Sequence, residues 1–450
     1  MGELFAVIGN GIMGPAILLL GFFMMYKLLA LFNIDIEPIL SIMFALTPIW
    51  LPMTLFHITL EKWTYFIRLK FALNQGRTTL RINLPQEVFK SPEAMEGVLA
   101  QIHNVNTPDN LMQSWIDGKY PLVFSFELVS YGGEVRFYAN VPTKKTKNAI
   151  EAQLYANYPG VEVTEEQHDY TDEIVWDPNK YEYMSFHMGK KLDHGSDKDV
   201  LPIKTYIDFG HDKIPKEEEK FEPMAAMLEQ LGKAKPHERI WVQFLCVPHM
   251  KKTFKNGHFG GEIPTWEAKA KKVIDEMLKR DERPSTDPDE PYERAPMLTM
   301  GERDVIAAIE RNVSKYAYET AIRWFYITEK GKFDGDFISP MIRAFAAYDM
   351  IGRAGIGVRW RTDFDYNWLV DRKGSRKLSL KKRELMDHKN RVYNYDLKTK
   401  SDTPKVFSVE ELATMFHIPG SSVLTPSLPR IMSTRKEAPS NLPTGQIMSI

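Results

Sequence analysis

The sequence has only one cysteine, Cys246, among its 450 residues. A single cysteine excludes a disulfide framework within the chain and a metal site built from several cysteines, and it agrees with a reducing cytoplasmic setting. Cys246-Val-Pro-His249 places a thiol near an imidazole, but no further ligand follows, so we interpret Cys246 as a core residue.

The sequence also lacks the motifs of several enzyme classes. No G-x-x-x-x-G-K-[ST] loop is present, and Gly352-x-x-Gly355-x-Gly357 has neither its spacing nor its lysine. There is no H-E-x-x-H zinc motif and no G-x-S-x-G elbow, and the eleven histidines are scattered. We therefore predict no catalytic, cofactor or metal site and a protein that is not an enzyme. A cryptic enzyme remains an alternative, because a fold does not fix function.

Neither sign of charge is in excess, since the net charge is −1. A nucleic-acid-binding domain is expected to be strongly basic, so such a function would have to reside in a local patch.

Charge is absent from two long stretches near the N-terminus, residues 4–26 and 38–60. About 20 apolar residues match the hydrocarbon core of a bilayer. We therefore predict a transmembrane helical hairpin over residues 1–62. Lys62, Arg68 and Lys70 follow the second stretch and place the remaining chain on the cytoplasmic side of the cell membrane.

Two alternatives to this hairpin stay open. The first stretch could be a signal peptide, although Met1-Gly2-Glu3 offers no positive segment before it. The second contains Pro48 and Pro52, which favour a kinked, re-entrant or interfacial helix.

The order of predicted elements after the hairpin is β-α-β-β-α-β, which occurs twice. In the first unit, Gly132-Gly133 predicts the turn of a hairpin. In the second unit, residues 202–209 are predicted as the first strand, and a helical pair at residues 264–314 is inserted, with a capping box at Thr299-x-x-Glu302. We therefore predict an α+β fold with tandem ferredoxin-like domains, and a single larger α+β domain is the alternative. The predicted segments are the hairpin 1–62, ferredoxin-like domains 78–168 and 200–362, a basic connector 363–405, and a docking helix with a Pro/Ser-rich tail 406–450.

One segment is strongly basic. Residues 372–391 carry the following cations against only Glu384 and Asp387: Arg372, Lys373, Arg376, Lys377, Lys381, Lys382, Arg383, Lys389 and Arg391. A cluster of this density can bind the phosphates of nucleic acid or of anionic lipid. The alternative is a solvated loop and helix without a ligand.

A short amphipathic helix precedes the tail. Ser408-x-x-Glu411 is a capping box, and Pro419-Gly420 ends the helix. Its apolar residues Leu412, Met415, Phe416 and Ile418 are candidates for docking a partner.

Residues 410–420, with Thr425-Pro426-Ser427-Leu428 and Ala438-Pro439-Ser440-Asn441-Leu442-Pro443, resemble the segment before the ATPase core in a family of membrane-anchored proteins. These are conjugation or type IV secretion-like DNA-translocase ATPases of candidate-phyla-radiation bacteria. The residues 130–135, 153–156 and 202–206 resemble that family's N-terminal region, so that the resemblance covers roughly residues 80–445 and the hydrophobic N-terminus.

The resemblance implies the accessory part of such a machine, because the phosphate-binding ATPase domain does not follow in this sequence. The function expected from it is a non-enzymatic membrane-anchored scaffold that positions a separate P-loop ATPase at the cytoplasmic face. The expected partners are that ATPase, the lipid bilayer and further copies of the chain. The alternatives are a membrane-bound nucleic-acid-binding protein acting through residues 372–391, and a fragment of a longer ATPase.

Overall fold

The structure is a computed structural model that describes residues 37–85, 90–103, 110–143, 146–191, 199–211, 214, 221–249, 265–278, 298–362, 374–393, 404–420 and 428–431. The described residues fall into two compact units. The first is residues 37–67, and the second contains the described residues from Arg68 onward.

The helices are α1 (Glu37–Gln75), α2 (Glu93–Ile102), α3 (Leu111–Trp115), α4 (Thr146–Asn157), α5 (Ala225–Gly232), α6 (Trp266–Met277), α7 (Met300–Val313), α8 (Ile338–Ala344), α9 (Ser375–Lys389) and α10 (Val409–Met415). The strands are β1 (Arg77–Pro85), β2 (Phe124–Tyr131), β3 (Glu134–Pro142), β4 (Glu162–Glu166), β5 (Tyr181–Lys191), β6 (Glu238–Pro248), β7 (Ala317–Glu329), β8 (Gly355–Arg361), β9 (Lys405–Ser408) and β10 (Arg430–Ile431).

The predicted second membrane span lies within α1. Within the part of the chain that the structure describes, no helix has both the length and the apolar character needed to cross a membrane. The predicted transmembrane hairpin, its two-span topology and the location in the cell membrane are therefore wrong. The sequence argument counted missing charges, which does not measure apolarity, because residues 38–60 include Ser41, Thr47, Pro48, Pro52, Thr54 and His57. The predicted first span, residues 4–26, lies outside the described residues.

The strands of the second unit form one continuous sheet in the order β4–β1–β3–β2–β6–β7–β5–β8. Neighbours in this order are antiparallel, β9 pairs antiparallel with β7, and β10 adds parallel to β1. The prediction of a transmembrane hairpin with tandem ferredoxin-like domains is wrong. β2 and β6 pair from Phe124 opposite Cys246 to Tyr131 opposite Arg239, so the two halves share a single sheet. Unpaired strand edges favour this kind of pairing, because it satisfies backbone hydrogen bonds.

The sheet has two different faces. Its first face packs against α2, α4, α5, α8 and α10 in the main hydrophobic core, which includes Phe126, Val242 and Trp324. Its second face packs against Leu385 of α9 and against Tyr170 and Ile174. Strand side chains alternate between faces, so neighbouring residues such as Phe126 and Glu127 meet different environments.

Several local predictions are confirmed. The turn between β2 and β3 contains Gly132 and Gly133 with φ of 56° and 100°. A Cβ at Gly132 would lie 2.7 Å from the Cα of Pro236, so both the backbone conformation and the space require glycine there. The capping boxes of Thr299 and Ser408 open α7 and α10, and α6 packs with α7 through Ala270, Val273 and Ile309.

One strand of the second half was assigned wrongly. Residues 202–209, predicted as a strand, contain a turn in which Asp208 Oδ2 accepts hydrogen bonds from Thr205 N and Oγ1. The strand beside β7 is instead β5, Tyr181–Lys191. Its alternation is hard to recognise because the side facing away from the main core carries polar Ser185 and His187, which are nevertheless buried.

Residues 405–418, which we call the clasp, run through the core. β9 pairs with β7, and the Phe416 ring stacks on Phe126 at 4.7 Å between centroids and contacts Phe137 and Phe244. The predicted docking residues Leu412, Met415, Phe416 and Ile418 are at most 3% exposed. They pack inside their own chain and do not form a docking surface, because the amphipathic pattern of a buried helix and that of a docking helix are the same.

A buried ion pair joins the clasp to β5. Lys190 Nζ lies 2.8 Å from Glu411 Oε1, with both side chains fully buried. Lys190 also donates to the carbonyl oxygens of Asp199 and Leu201, and Glu411 accepts from the backbone N–H groups of Ile203 and Ser408. The pair is well placed because these bonds satisfy the remaining donors and acceptors.

We expect Lys190→Met to lower the free energy of unfolding by about 3–5 kcal/mol, because it leaves the Glu411 carboxylate buried without its cation. The double variant Lys190→Met/Glu411→Gln should recover at least half of that loss, since glutamine still accepts from the Ile203 N–H. Urea unfolding midpoints measure both. The control is Lys233→Met, which removes an exposed pair with Glu229 and should change little. A double variant no more stable than the single one contradicts the prediction.

Candidate functional site

A row of buried polar residues crosses the second face of the sheet. Glu127 of β2 lies directly opposite Gln243 of β6, Gln243 opposite Arg323 of β7, and Arg323 opposite His187 of β5. We call these four residues the polar row. They are between 0% and 4% exposed. Such burial requires that each group find a partner, since an unpaired buried charge is costly.

Hydrogen bonds join three members of the polar row, Glu127, Gln243 and Arg323. Arg323 Nε donates to Gln243 Oε1 at 2.8 Å, and Gln243 Nε2 donates to Glu127 Oε1 at 3.1 Å. Gln243 Nε2 also contacts Tyr170 Oη and the carbonyl oxygen of His388. Because Glu127 belongs to the first half of the sheet and the other three residues to the second, the row crosses the seam between β2 and β6.

Helix α9 packs on the second face and provides hydrogen-bond partners for the polar row. Glu384 Oε2 lies 2.8 Å from His187 Nε2 and accepts from Ser185 Oγ, while Arg323 Nη2 donates to the carbonyl oxygen of Asp387. Burial alone would raise the pKa of Glu384, but the hydrogen bond and charge of His187 together with Arg323 hold it below its ordinary value. Ser185 and His187 both bind the carboxylate and not each other, so this is not the arrangement that activates a serine nucleophile.

Arg391, just after α9, holds the other end of the polar row. Its Nε and Nη2 lie 3.0 Å from the two carboxylate oxygens of Glu127, and Nη1 lies 2.6 Å from Asp169 Oδ2. Burial would lower the pKa of Arg391, but Glu127 and Asp169 hold it well above its ordinary value. Its φ of 49° is left-handed, which costs a residue with a Cβ roughly 1–2 kcal/mol. Arg391 occupies the left-handed position of a Schellman motif that ends α9, in which Val392 N donates to the carbonyl oxygen of Asp387 and Arg391 N to that of His388.

His388 lies between the two anchors of α9. It is buried against the rings of Trp241 and Phe325, and no described residue makes a hydrogen bond with either ring nitrogen. Burial, with the nearby charge of Arg323, lowers its pKa well below the ordinary value. The imidazole is therefore neutral and acts as a packing group.

A cleft of about 750 Å³ opens beside Arg391. It is bounded by residues 77–79 of β1, Asn140 of β3, residues 165–167 with Asp169 and Asp172, and residues 389–391. The polar side chains that line the cleft bond to one another. Asp169 Oδ2 accepts a hydrogen bond from Thr79 Oγ1, and the Asn140 amide donates to that same hydroxyl. Burial would raise the pKa of Asp169, but Arg391 and Thr79 lower it.

The predicted basic residues fall into three groups. Arg376, Lys382 and Arg383 are exposed on the solvent side of α9, with Lys377 and Lys381 half-buried beside them. Lys389 donates to the carbonyl oxygen of Ile174, and Arg391 is buried in the pairs described above. Arg372 and Lys373 lie outside the described residues. The structure therefore separates a solvent-facing cluster from two cations that are part of the fold.

No group of three or more His, Cys, Asp or Glu suited to holding a metal ion occurs among the residues that the structure describes. Cys246 is buried, and burial raises the pKa of its thiol to about 12, so it is not a ready nucleophile. The polar row itself was missed from the sequence. Its signal was the presence of Glu127, Gln243 and Arg323 at the centres of otherwise apolar strands.

We expect both Arg391→Ala and Arg391→Gly to destabilise the protein by several kcal/mol, because each leaves Glu127 and Asp169 without their cation. The glycine variant should be the more stable of the two by roughly 1 kcal/mol, since only alanine keeps the left-handed strain. Guanidinium unfolding midpoints measure the difference. Equal stability of the two variants would contradict the predicted cost of the left-handed backbone. Near-wild-type stability of both would contradict the predicted contribution of the ion pairs to stability.

The lowered pKa of Glu384 predicts an acid-sensitive contact. A carboxyl with a depressed folded-state pKa stabilises the fold fully above its unfolded value of 4.5, and this stabilisation is lost as pH falls through the folded value. The melting temperature of Glu384→Gln should lie well below wild type near pH 6.5 and approach it as the pH falls further and further below 4.5. A difference that stays constant or grows on acidification would show that the ionised carboxylate does not stabilise α9.

The sequence profile of one family matches residues 67–349, which is more than half of the chain; its description is "Domain of unknown function (DUF8128)". No curated protein matches the sequence. The matched range contains the polar row and strands β1 to β7, while α9, Arg391 and the clasp follow it.

Proposed function

The chain belongs to the DUF8128 family, and we propose that it is a non-enzymatic platform that holds a separate P-loop ATPase of a translocation machine. The resemblance of residues 410–420 to the lead-in of translocase ATPases motivates this assignment. The structural observation that supports it is the burial of the clasp.

The clasp makes the connection to the tail a rigid one. Glu411 is fixed by Lys190, and Glu410 by Lys315 and Arg311 at 2.9 and 3.2 Å. His417 Nε2 lies 2.7 Å from Glu222 Oε1, and the pKa of Glu222 is lowered by His417 although burial would raise it. Each of these contacts joins the clasp to a different element of the fold.

The chain is attached to the sheet again after the clasp. β10 pairs with Leu84 and Pro85 of β1, and Arg430 donates to the carbonyl oxygens of Pro85 and Gly420. Residues on both sides of 421–427 are therefore fixed to the same sheet. A partner bound through residues 432–450 would start from a defined position, which is what a platform for a motor requires.

The proposal predicts that the tagged chain, cross-linked in its source cells, co-purifies with a protein carrying a G-x-x-x-x-G-K-[ST] motif, detected by mass spectrometry. A variant that ends at residue 431 should lose this partner, because the clasp and β10 fold but the tail is gone. Lys382→Gln/Arg383→Gln, which changes α9 and leaves the tail intact, is the matched control and should retain it.

Recovery of no P-loop ATPase above an unrelated bait contradicts the platform function. Equal recovery by the full chain and the variant ending at 431 contradicts docking through the tail. The expected association of several copies of the chain stays a prediction, and the mass of the purified protein in light scattering measures it.

A second function, nucleic-acid binding, is supported by the solvent side of α9. Glu384, Leu385 and His388 face the sheet, and the opposite side presents Arg376, Lys382 and Arg383. Arg383 lies 3.6 Å from Asp387, so its charge is partly compensated. Lys382 and Arg383 are exposed, so they can reach phosphates, and such binding weakens steeply with salt.

A further inference from the structure

Aromatic and cationic side chains share the end of the second face beyond the polar row. Tyr131 of β2 lies opposite Arg239 of β6, Arg239 opposite Ile327 of β7, and Ile327 opposite Tyr183 of β5. Directly opposed side chains point to the same face. This end of the sheet is the edge at which the β2–β3 turn lies and at which β5 begins.

The rings form two groups. Trp176 stacks on Tyr183 with centroids 4.8 Å apart, and Tyr181 contacts Tyr183 at 6.1 Å. Across the sheet, the guanidinium carbons of Arg136 and Arg239 lie 4.4 and 5.6 Å from the centroid of the Tyr131 ring. We call Tyr131, Trp176 and Tyr181 the aromatic platform; Tyr183 beneath it is a buried core residue.

The platform reaches the protein surface. Tyr131, Trp176 and Tyr181 are only partly buried, and Val175 beside them is 69% exposed. Core aromatics of this face, such as Trp241 and Phe325, are 1% exposed by comparison. Solvent-accessible rings beside guanidinium planes are the groups on which unstacked bases bind.

The spacing suits a short stretch of single strand. Tyr131 and Tyr181 lie on strands separated by two others, so about 14 Å separates these strands at the usual interstrand distance. Sheet surfaces of four strands typically stack two or three bases over such a span. A duplex keeps its bases stacked within the helix and cannot use these rings.

Charge at the platform is mixed, and this limits the phosphate contribution. Glu134 pairs with Arg136 at 2.7 Å, and Glu173 with Arg239 at 3.3 Å. Lys180 lies 4.9 Å from the Tyr181 ring, and Lys330 donates to the carbonyl oxygen of Pro178. Both lysines are exposed beside the platform, and α9 lies on the same face. Stacking on the platform and phosphate contacts from these lysines and α9 would therefore act together.

We propose that the aromatic platform binds single-stranded nucleic acid by base stacking, with α9 and the exposed lysines contacting the phosphates. This inference rests on the nucleic-acid function proposed above and names its ligand class. It adds stacking residues on β2 and β5 that lie outside the basic stretch.

The test is fluorescence anisotropy of the full chain with an oligothymidylate of about twelve nucleotides and with a duplex of equal length, at about 50 and 200 mM salt. Single strand should bind more tightly than duplex. Tyr131→Leu and Trp176→Leu should each weaken single-strand binding roughly 5- to 150-fold, the range of one base–aromatic stack. Trp176→Phe keeps a ring and should retain most of the affinity. Phe221→Leu changes an exposed aromatic elsewhere and is the matched control.

The outcomes separate the platform from α9. If Lys382→Gln/Arg383→Gln weakens binding to both probes while the leucine variants bind as wild type, the α9 function stands and stacking is overturned. If neither probe binds at about 50 mM salt, the nucleic-acid function and the platform both fail. Equal loss in the leucine and phenylalanine variants of Trp176, with unchanged melting temperatures, also overturns stacking.

Discussion

The fold depends on the compensation of charges buried on the second face of its sheet. Glu127, Gln243, Arg323 and His187 lie in one register across four strands, and the sheet itself does not neutralise them. Two residues provide the missing partners. Glu384 of α9 pairs with His187, and Arg391, two residues after α9, pairs with Glu127. Breaking a buried pair costs several kcal/mol, so the position of α9 follows from electrostatics more than from its single buried leucine. The sequence of α9 is typical of a solvated basic helix, yet α9 is a required part of the structure.

This constraint explains why the two halves of the chain do not behave as separate domains. The polar row passes from β2 to β6, and Arg391 reaches back to Glu127 and Asp169 in the first half. On the other face, Phe416 contacts Phe126 and Phe137 of the first half and Phe244 of the second. Arg391 and the clasp, which both follow the matched family region, thus connect the two halves of the sheet, one on each face. The left-handed Arg391 is the local strain that accompanies this closure.

Sequence patterns predicted features governed by neighbouring residues and failed for those governed by distant ones. The Gly132-Gly133 turn and the Thr299 and Ser408 caps were predictable because each depends on a few adjacent residues. β5 was missed because His187 and Ser185 are polar yet buried. The carboxylate of Glu384, to which both bind, lies 197 and 199 residues away in the sequence. The apolar side of α10 was identified, but the sequence did not show that its partner was the chain's own core. Of the proposed nucleic-acid surface, the sequence indicated Lys382 and Arg383 through their density of charge, whereas the aromatic platform depends on strand pairing between distant residues and was not predicted.

The proposed functions use the two faces differently, since the clasp fixes the tail from the first face and α9 presents cations on the second. Both require that α9 and the clasp be permanent parts of the fold. Hydrogen exchange of the full chain tests this most directly. The amides of residues 385–389 should exchange as slowly as those at the centres of β6 and β7, because α9 cannot leave without exposing the polar row unpaired. Exchange of these amides at the rate of an exposed helix, while β6 and β7 stay protected, would contradict the account.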